Sequence, residues 1–352
     1  MLYVTTRNNR DAYTAQRVLR ENRGPDGGLY VPFREPVFSR EEIDALKEKS
    51  FHQCVAEVLN RLFNTKLTRW DVEFCVGRYP VRLMNLPQRI IAGECWHNPE
   101  WTFDHLVHIL AEQLRGGCPG ADGGWAKTAV GIAVLFGIFG EFARAGITEH
   151  EKRVDISVVC GNFDLPMSAW YARAWGLPIG NIICCCNENG NLWNLIHHGQ
   201  FRTDTVSVPT GTPEADVTLP AGLERLIYAC GGLAEVDIYL DACRRGDIYL
   251  DACRRGGMYC PRDSVLSRLG EGLDVSVVSS RRMISTISGI RGSAGYLLSP
   301  YAALAYAGLL DFRGRTGESC HALVLAEKSP ICDAGTVANA LGVSEDALEQ
   351  YL

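Results

Sequence analysis

Apolar and polar positions along this chain change rhythm several times, and each change marks an element. From Glu41 to Leu62 the apolar residues Ile43, Leu46, Phe51, Val55, Leu59 and Leu62 recur at helical spacing. Ile90-Ile91-Ala92 reads as a strand, and Phe103 to Leu114 as a helix. Val154-Asp155-Ile156-Ser157-Val158-Val159 has the character of a buried strand that feeds a turn at Gly161. The helix after it begins near Leu165 and stops at Gly176 and Pro178, ordinary C-terminal punctuation. A second strand runs through Ile182-Ile183-Cys184-Cys185-Cys186, where adjacent side chains point to opposite faces. Strand, turn, helix and strand in succession predict an α/β fold with one open, mainly parallel sheet flanked by helices. The longest apolar run, Ala129 to Gly140, is twelve residues between Lys127 and Glu141. It is too short to span a bilayer and predicts a core helix.

Length and composition narrow the class. A chain of 352 residues buries a full core and predicts two domains, 1–78 and 79–352. The first is mostly helical with an opening strand, followed by a tight turn at Pro25-Asp26-Gly27-Gly28 and the extended Leu29-Tyr30-Val31. A net charge of −6 disfavours nucleic acid, which wants a basic face. The Arg244-Arg245, Arg254-Arg255 and Arg281-Arg282 pairs read as solvated helix ends. The fourteen cysteines include no Cys-x-x-Cys pair, so buried, reduced thiols are the simplest account. The polar, extended first residues are unlike a signal peptide, and a cytoplasmic location without membrane contact is expected. From Asp237 to Gly256 the sequence Asp-Ile-Tyr-Leu-Asp-Ala-Cys-Arg-Arg-Gly occurs twice in succession, expected to form a surface excursion.

Several segments, colinear from end to end, carry a family resemblance. Gly24-Pro25-Asp26-Gly27-Gly28-Leu29-Tyr30-Val31-Pro32 resembles the opening signature of threonine synthases. Gly161-Asn162-Phe163 through Gly176-Leu177-Pro178 resembles their Gly-Asn-Phe-Gly-Asp…Gly-Leu-Pro block, and Asn187-Glu188-Asn189 their Asn-Glu-Asn segment. Leu223-Glu224-Arg225-Leu226 is similar to a Phe-Glu-Arg-Leu helix start, and Gly295 to Pro300 to a Gly-Tyr-Leu-x-Asp-Pro turn. The resemblance implies a pyridoxal-phosphate fold type II scaffold and a lyase that makes threonine from O-phosphohomoserine.

The same alignment exposes departures. His97-Asn98-Pro99-Glu100-Trp101-Thr102-Phe103-Asp104 resembles the family's His-Gly-Pro-Thr-x-Ala-Phe-Lys through its histidine, proline and phenylalanine, and the resemblance places Asp104 where the Schiff-base lysine belongs. A carboxylate forms no imine with an aldehyde. The family's small α/β domain is expected to be deleted, because a bridge at 115–124 leads straight to Trp125-Ala126-Lys127. Six of the last nine residues of that bridge are Gly or Pro, which hold neither strand nor helix. The loop that receives the cofactor phosphate in the family is represented by Gly161, Asn162, Phe163 and Asp164. Asp164 replaces a glycine and is expected to cap the following helix. A phosphate beside it would be repelled by roughly 1–4 kcal/mol per pair of unit charges. Glu327 stands in place of the hydroxyl near the pyridine nitrogen, and Ser299 and Tyr301 replace the family's Asp and His.

These departures predict a protein that has lost pyridoxal-phosphate binding and catalysis, with no cofactor and no catalytic residue. Its expected role is binding another protein or an amino-acid-like molecule, with His97, Asp104 and Asn187 as pocket candidates. The first alternative is an active pyridoxal-phosphate lyase of threonine synthase type; Glu327 keeps it open, since a carboxylate serves a protonated pyridine. The second is a metal-dependent activity built from His97, Asp104, His105 and His108, of which Asp104 and His108 share a helical face. Lys127 is the lysine nearest in sequence to the lost one, but it resembles a family arginine, so no relocated Schiff base is expected there.

Overall fold

The computed structural model describes residues 1–78, 81–95, 124–150, 153–246 and 257–351. The chain opens on strands β1 (Leu2–Thr5), β2 (Tyr13–Thr14) and β3 (Tyr30–Pro32), paired antiparallel in the order β2-β1-β3. The turn before β3 uses its residues as their chemistry requires. Gly27 takes φ +76°, and the Asp26 carboxylate accepts from Gly28 N (2.9 Å) and Thr5 Oγ1 (2.6 Å).

Four helices follow in this part: α1 (Ala15–Arg20), α2 (Arg40–Asp44), α3 (Phe51–Phe63) and α4 (Arg69–Val76). The helical rhythm from 41 to 62 is therefore divided. α2 stops at Asp44 and runs into a tighter 3-10 turn at Ala45–Glu48; Ser50 then accepts from Gln53 N and Gln53 reaches back to Ser50 N, a capping box that starts α3.

Six strands form the central sheet: β4 (Arg82–Leu86), β5 (Ile90–Glu94), β6 (Val154–Val159), β7 (Ile179–Cys186), β10 (Leu273–Val277) and β11 (Ala322–Ala326). Their order is β10-β7-β6-β11-β5-β4, and every pairing is parallel except β4 with β5. A separate two-stranded ladder joins β8 (Phe201–Arg202) to β9 (Met258–Tyr259).

The helices that cover the sheet are α5 (Trp125–Arg144), α6 (Asp164–Ala174), α7 (Asn191–His198), α8 (Leu223–Gly246), α9 (Asp263–Gly270), α10 (Ser280–Ala294), α11 (Pro300–Thr316) and α12 (Ala334–Leu341). Two cores result. Cys184, Cys186, Ile156 and Val158 face α5 and α6, whereas Ile183, Cys185, Val324 and Ala92 face α10 and α11. Each fully buried Val or Leu contributes about 1.5–3 kcal/mol relative to exposure. Cysteine serves here as a small apolar residue: Cys184, Cys185 and Cys186 are free and buried; burial pushes the Cys184 and Cys185 thiols up, and a hydrogen bond with Cys160, then burial, raises Cys186.

Helix α5 extends the apolar run of 129–140 to twenty residues. By length and composition it is apolar enough to cross a membrane, yet sixteen of its residues are buried in this fold. That makes it a core helix. Helix α8 carries the first copy of the tandem repeat beyond a break at Gly232 (φ +68°). Gly246 and Gly257 both press on Thr203, and a Cβ on Gly257 would lie 2.6 Å from Gly246 N. The two ends flanking the second copy therefore touch, although residues 247–256 lie outside the described residues. The predicted helix at 103–114 and most of the Gly-rich bridge lie outside them as well.

Candidate functional site

The parallel strands aim their C-terminal ends at one edge of the sheet, where ligands of α/β proteins bind. β6 extends through Cys160, whose N–H donates to Cys185 O at 2.9 Å, and the chain then turns sharply. Gly161 takes φ +45° and exposed Asn162 forms the tip. Phe163 adopts φ +74°, ψ +13°, with its amide donating to Cys160 O at 2.8 Å. This left-handed conformation costs a non-glycine residue about 1–2 kcal/mol. Complete burial of the Phe163 ring offsets it.

Phe163, not Asp164, occupies the N-cap position of α6. That corrects the expected capping role, and its cause is local. With Phe163 left-handed, Asp164 becomes the first helical residue and its side chain points away from the amides of the first turn. The third helical residue is Pro166, which has no N–H to offer.

Asp164 is engaged elsewhere. Its Oδ1 lies 3.7 Å from Arg225 Nη1 and accepts from Thr128 Oγ1 at 3.4 Å. Arg225 is wholly buried at the start of α8, donating from Nε to Tyr30 O (3.1 Å) and from Nη1 to Thr128 Oγ1 (3.4 Å). Its guanidinium sits 5.9 Å from the centre of the Trp125 ring. Burial pulls the Arg225 pKa down, and the Asp164 carboxylate acts against that pull. A buried cation demands such a counter-charge. Four distant segments, β3, α5, α6 and α8, thus meet at one ion pair.

A second layer lies over the turn. Gly222 N donates to Asn162 O at 2.9 Å, and Glu214 O faces Gly161. Glu214 N donates to the Tyr301 hydroxyl at 3.3 Å, while its carboxylate pairs with Lys328, whose Nζ lies 5.0 Å from the centre of the Tyr301 ring. Glu327, next in the chain after β11, reaches solvent on one side yet is surrounded by protein at longer range. That enclosure pushes its carboxyl up to about 7; Lys328 opposes the rise, and Glu214 and Asp164 add to it. Asp333 is raised by the same physics, with burial first and Glu214 contributing. Ser299 caps α11, accepting from Ala302 N at 3.2 Å.

Asn187 sits in a different environment at the end of β7. It is 1% exposed, with Nδ2 placed against Asp216 Oδ1 (2.7 Å), Thr210 Oγ1 (2.9 Å) and Thr212 Oγ1 (3.0 Å). Asn189 shares Asp216 and binds Val208 O, so the two amides fasten the 203–218 loop to the sheet. A groove of about 610 Å³ lies beyond that turn, lined by Glu188, Trp193, Arg202, Val206 and Val277. No residue nominated from the sequence lines it.

Of the nominated residues, Gly161, Asn162, Phe163 and Asp164 form one turn, and Glu327 follows β11. His97, Asp104, His105 and His108 lie outside the described residues. Among the described residues no group of three His, Cys, Asp or Glu side chains is disposed to hold a metal ion. His197 and His198 lie within the last turn of α7, where His197 Nε2 approaches Val275 O at 3.3 Å. Sequence reasoning missed Arg225, Thr128, Glu214 and Lys328. Arg225 alone carried a signal, a cation between Leu223 and the apolar Leu226-Ile227 of a helix start.

Residues 2–78 match the family described as threonine synthase N terminus. Threonine synthase-like 1 of Mus musculus is 28% identical over 222 residues, covering 63% of this chain and 28% of that protein. Threonine synthase of Pseudomonas aeruginosa is 26% identical over 185 residues, covering 51% of this chain and 35% of that protein. The aligned stretches thus span about a third or less of these relatives' lengths. Among solved structures, yeast threonine synthase superposes with a TM-score of 0.83 at 16% identity, covering 99% of this chain and 91% of that one. Pyridoxal-phosphate-bound threonine synthase from Brucella melitensis gives 0.82 at 18% identity, covering 97% and 92%. Residues 2–78 thus belong to the threonine synthase N-terminus family, and the chain as a whole has the threonine synthase fold and is a distant homologue of its members.

Proposed function

We propose that this chain is a threonine-synthase-like protein that has lost pyridoxal-phosphate catalysis and acts, in the cytoplasm, by binding a partner protein or an amino-acid-like ligand. The observation that carries the reading is Asp104 in the position of the family's lysine. Without an amine there, no covalent capture of the cofactor is possible at that position.

The cleft supports the same reading. A cofactor phosphate needs free amides and positive charge at the turn before α6. Here Pro166 removes an amide, the Asp164 carboxylate adds negative charge, and Arg225 already has a counter-ion. The residues present do not fit the group. Loss of the small domain belongs to the same proposal: residues 95–124 are all that separates β5 from α5, and one βαβ unit alone takes about thirty residues.

The test is direct. Purified protein is incubated with pyridoxal phosphate, reduced with borohydride and weighed intact. The expected result is no stoichiometric adduct. A single modified lysine, Lys127 included, would restore the reading of an active lyase that forms threonine from O-phosphohomoserine. Metal analysis of the same sample, expected to find no bound ion, addresses the site at His97, Asp104 and His108.

A further inference from the structure

The central sheet ends on β10, whose far side meets no further strand among the described residues. Ile182 N donates to Gly272 O at 2.8 Å and Val278 N to Cys186 O at 2.9 Å, so the even-numbered residues of β10 bond to β7. Leu273, Val275 and Val277 therefore turn their N–H and C=O groups outward. His197 Nε2, 3.3 Å from Val275 O, covers the middle of that edge, and Val277, 43% exposed, ends it. The groove of about 610 Å³ opens at this end. Its walls come from both layers of the fold: Trp193 from α7, Asp311 and Arg315 from α11, with Val277 between them. We infer that the groove is a docking slot for an extended, uncharged segment of a partner protein, which adds to β10 as a seventh strand.

The chemistry of the walls selects that occupant. Val206 (74% exposed) and Val208 (50% exposed) line the groove, and Ser207 between them does not. Apolar side chains two residues apart match the spacing of a strand laid alongside. Val208 N donates to Asn189 Oδ1 (2.7 Å) and Val208 O accepts from Asn189 Nδ2 (2.9 Å), so this wall is pinned and leaves strand pairing to β10. The charged groups are matched at home. Arg202 pairs with Asp204 (2.9 Å), Asp311 with Arg282 (3.5 Å) and Arg315 with Asp274, while Glu188 accepts from Ser280 N (2.6 Å). Two cations and two anions cancel across the lining, so a charged segment finds no surplus of opposite charge there. An uncharged strand gains the outward N–H and C=O of Val277 and covers valines that otherwise face water.

The inference rests on the partner-binding reading and names where, and by what chemistry, the partner is held. A borohydride-stable adduct would overturn that reading alone, and a failed peptide titration the present inference alone. The probe is the capped peptide acetyl-Thr-Val-Thr-Val-Thr-Val-Thr-amide, titrated calorimetrically into the full chain, with amide hydrogen exchange at Val277 as the second readout. Saturable binding and slowed exchange at Val277 are expected. The same peptide with its valines changed to glutamates, or with alternate backbone nitrogens methylated, is expected to bind at least tenfold more weakly. On the protein side, Val277→Pro removes the outward donor and leaves the bonds to β7 in place, since proline is tolerated on an edge. Val206→Asp puts a charge into the groove from an exposed loop position. Each is expected to weaken binding at least tenfold. No saturable binding at millimolar peptide would overturn the inference, as would equal binding of the glutamate or methylated peptide. A wild-type dimer that Val277→Pro dissociates would overturn it too, because the occupant is then a second copy of this chain. If Val277→Pro does not fold, Val206→Asp and the methylated peptide decide the matter.

Discussion

Two turns leave the sheet side by side and solve the same problem in opposite ways. The turn after β6 is organised by charge, with Asp164 set against the buried Arg225. The turn after β7 is organised by neutral amides, with Asn187 and Asn189 converging on Asp216, Thr210 and Thr212. Both look alike as family motifs, and both fasten a distant segment. They differ in what remains when one side chain is removed. A broken neutral network leaves unmatched hydrogen-bonding groups, whereas a broken ion pair takes a counter-charge from a wholly buried guanidinium.

The largest expected effect breaks the charged turn. Asp164→Gly should lose about 3–5 kcal/mol, because it removes a counter-charge of a wholly buried guanidinium. Denaturant unfolding measures it, and a loss under about 1 kcal/mol would mean that Arg225 is solvated or paired without Asp164. Asn187→Ala should cost less, about 1–3 kcal/mol, the penalty for leaving buried acceptors without their donor. A loss as large as that of Asp164→Gly would erase the distinction between the two turns.

A smaller effect concerns the acidic layer over the charged turn. Glu327 has its folded pKa raised to about 7 from an ordinary value of 4.5, so between those values the folded state holds a proton that the unfolded state has released. Its contribution is therefore fully present below about pH 4.5 and is lost as pH rises through about 7. The fall in Tm from about pH 5 to about pH 8 should be shallower in Glu327→Gln than in wild type. An identical slope in the two proteins would show that solvent already screens this carboxylate.

The smallest effect serves as a control on both turns. Deleting 247–256 joins Gly246 to Gly257, which already lie against each other on Thr203. Closing a loop of ten residues costs little, so the deletion should move Tm by no more than about 2 °C. A drop well beyond that would show that the second copy packs against the body of the protein.

Much of this was written in local pattern. The strands at 90–94, 154–159 and 179–186 announced themselves through apolar runs bounded by turns, and the opposite-facing cysteines followed from a period of two. Asp104 and Asp164 were visible as wrong chemistry at positions whose neighbours still matched the family. Other features were settled only when distant segments met. Helical spacing continued through 41–62, yet the chain tightens into a 3-10 turn at Ala45–Glu48 and Ser50 with Gln53 starts a new helix. Asn187 read as a pocket residue and is buried against a loop some twenty-five residues on. Asp164 read as a helix cap, but the cap is Phe163, because a buried ring outweighs the cost of a left-handed backbone. Its true partner, Arg225, lies far along the chain, and nothing in the local sequence of either residue points to the other. Periodicity and turn chemistry act over a few residues, so the sequence by itself determined the elements and the altered side chains. Burial and charge neutralisation act through space, so only the tertiary structure decided which of those side chains pair.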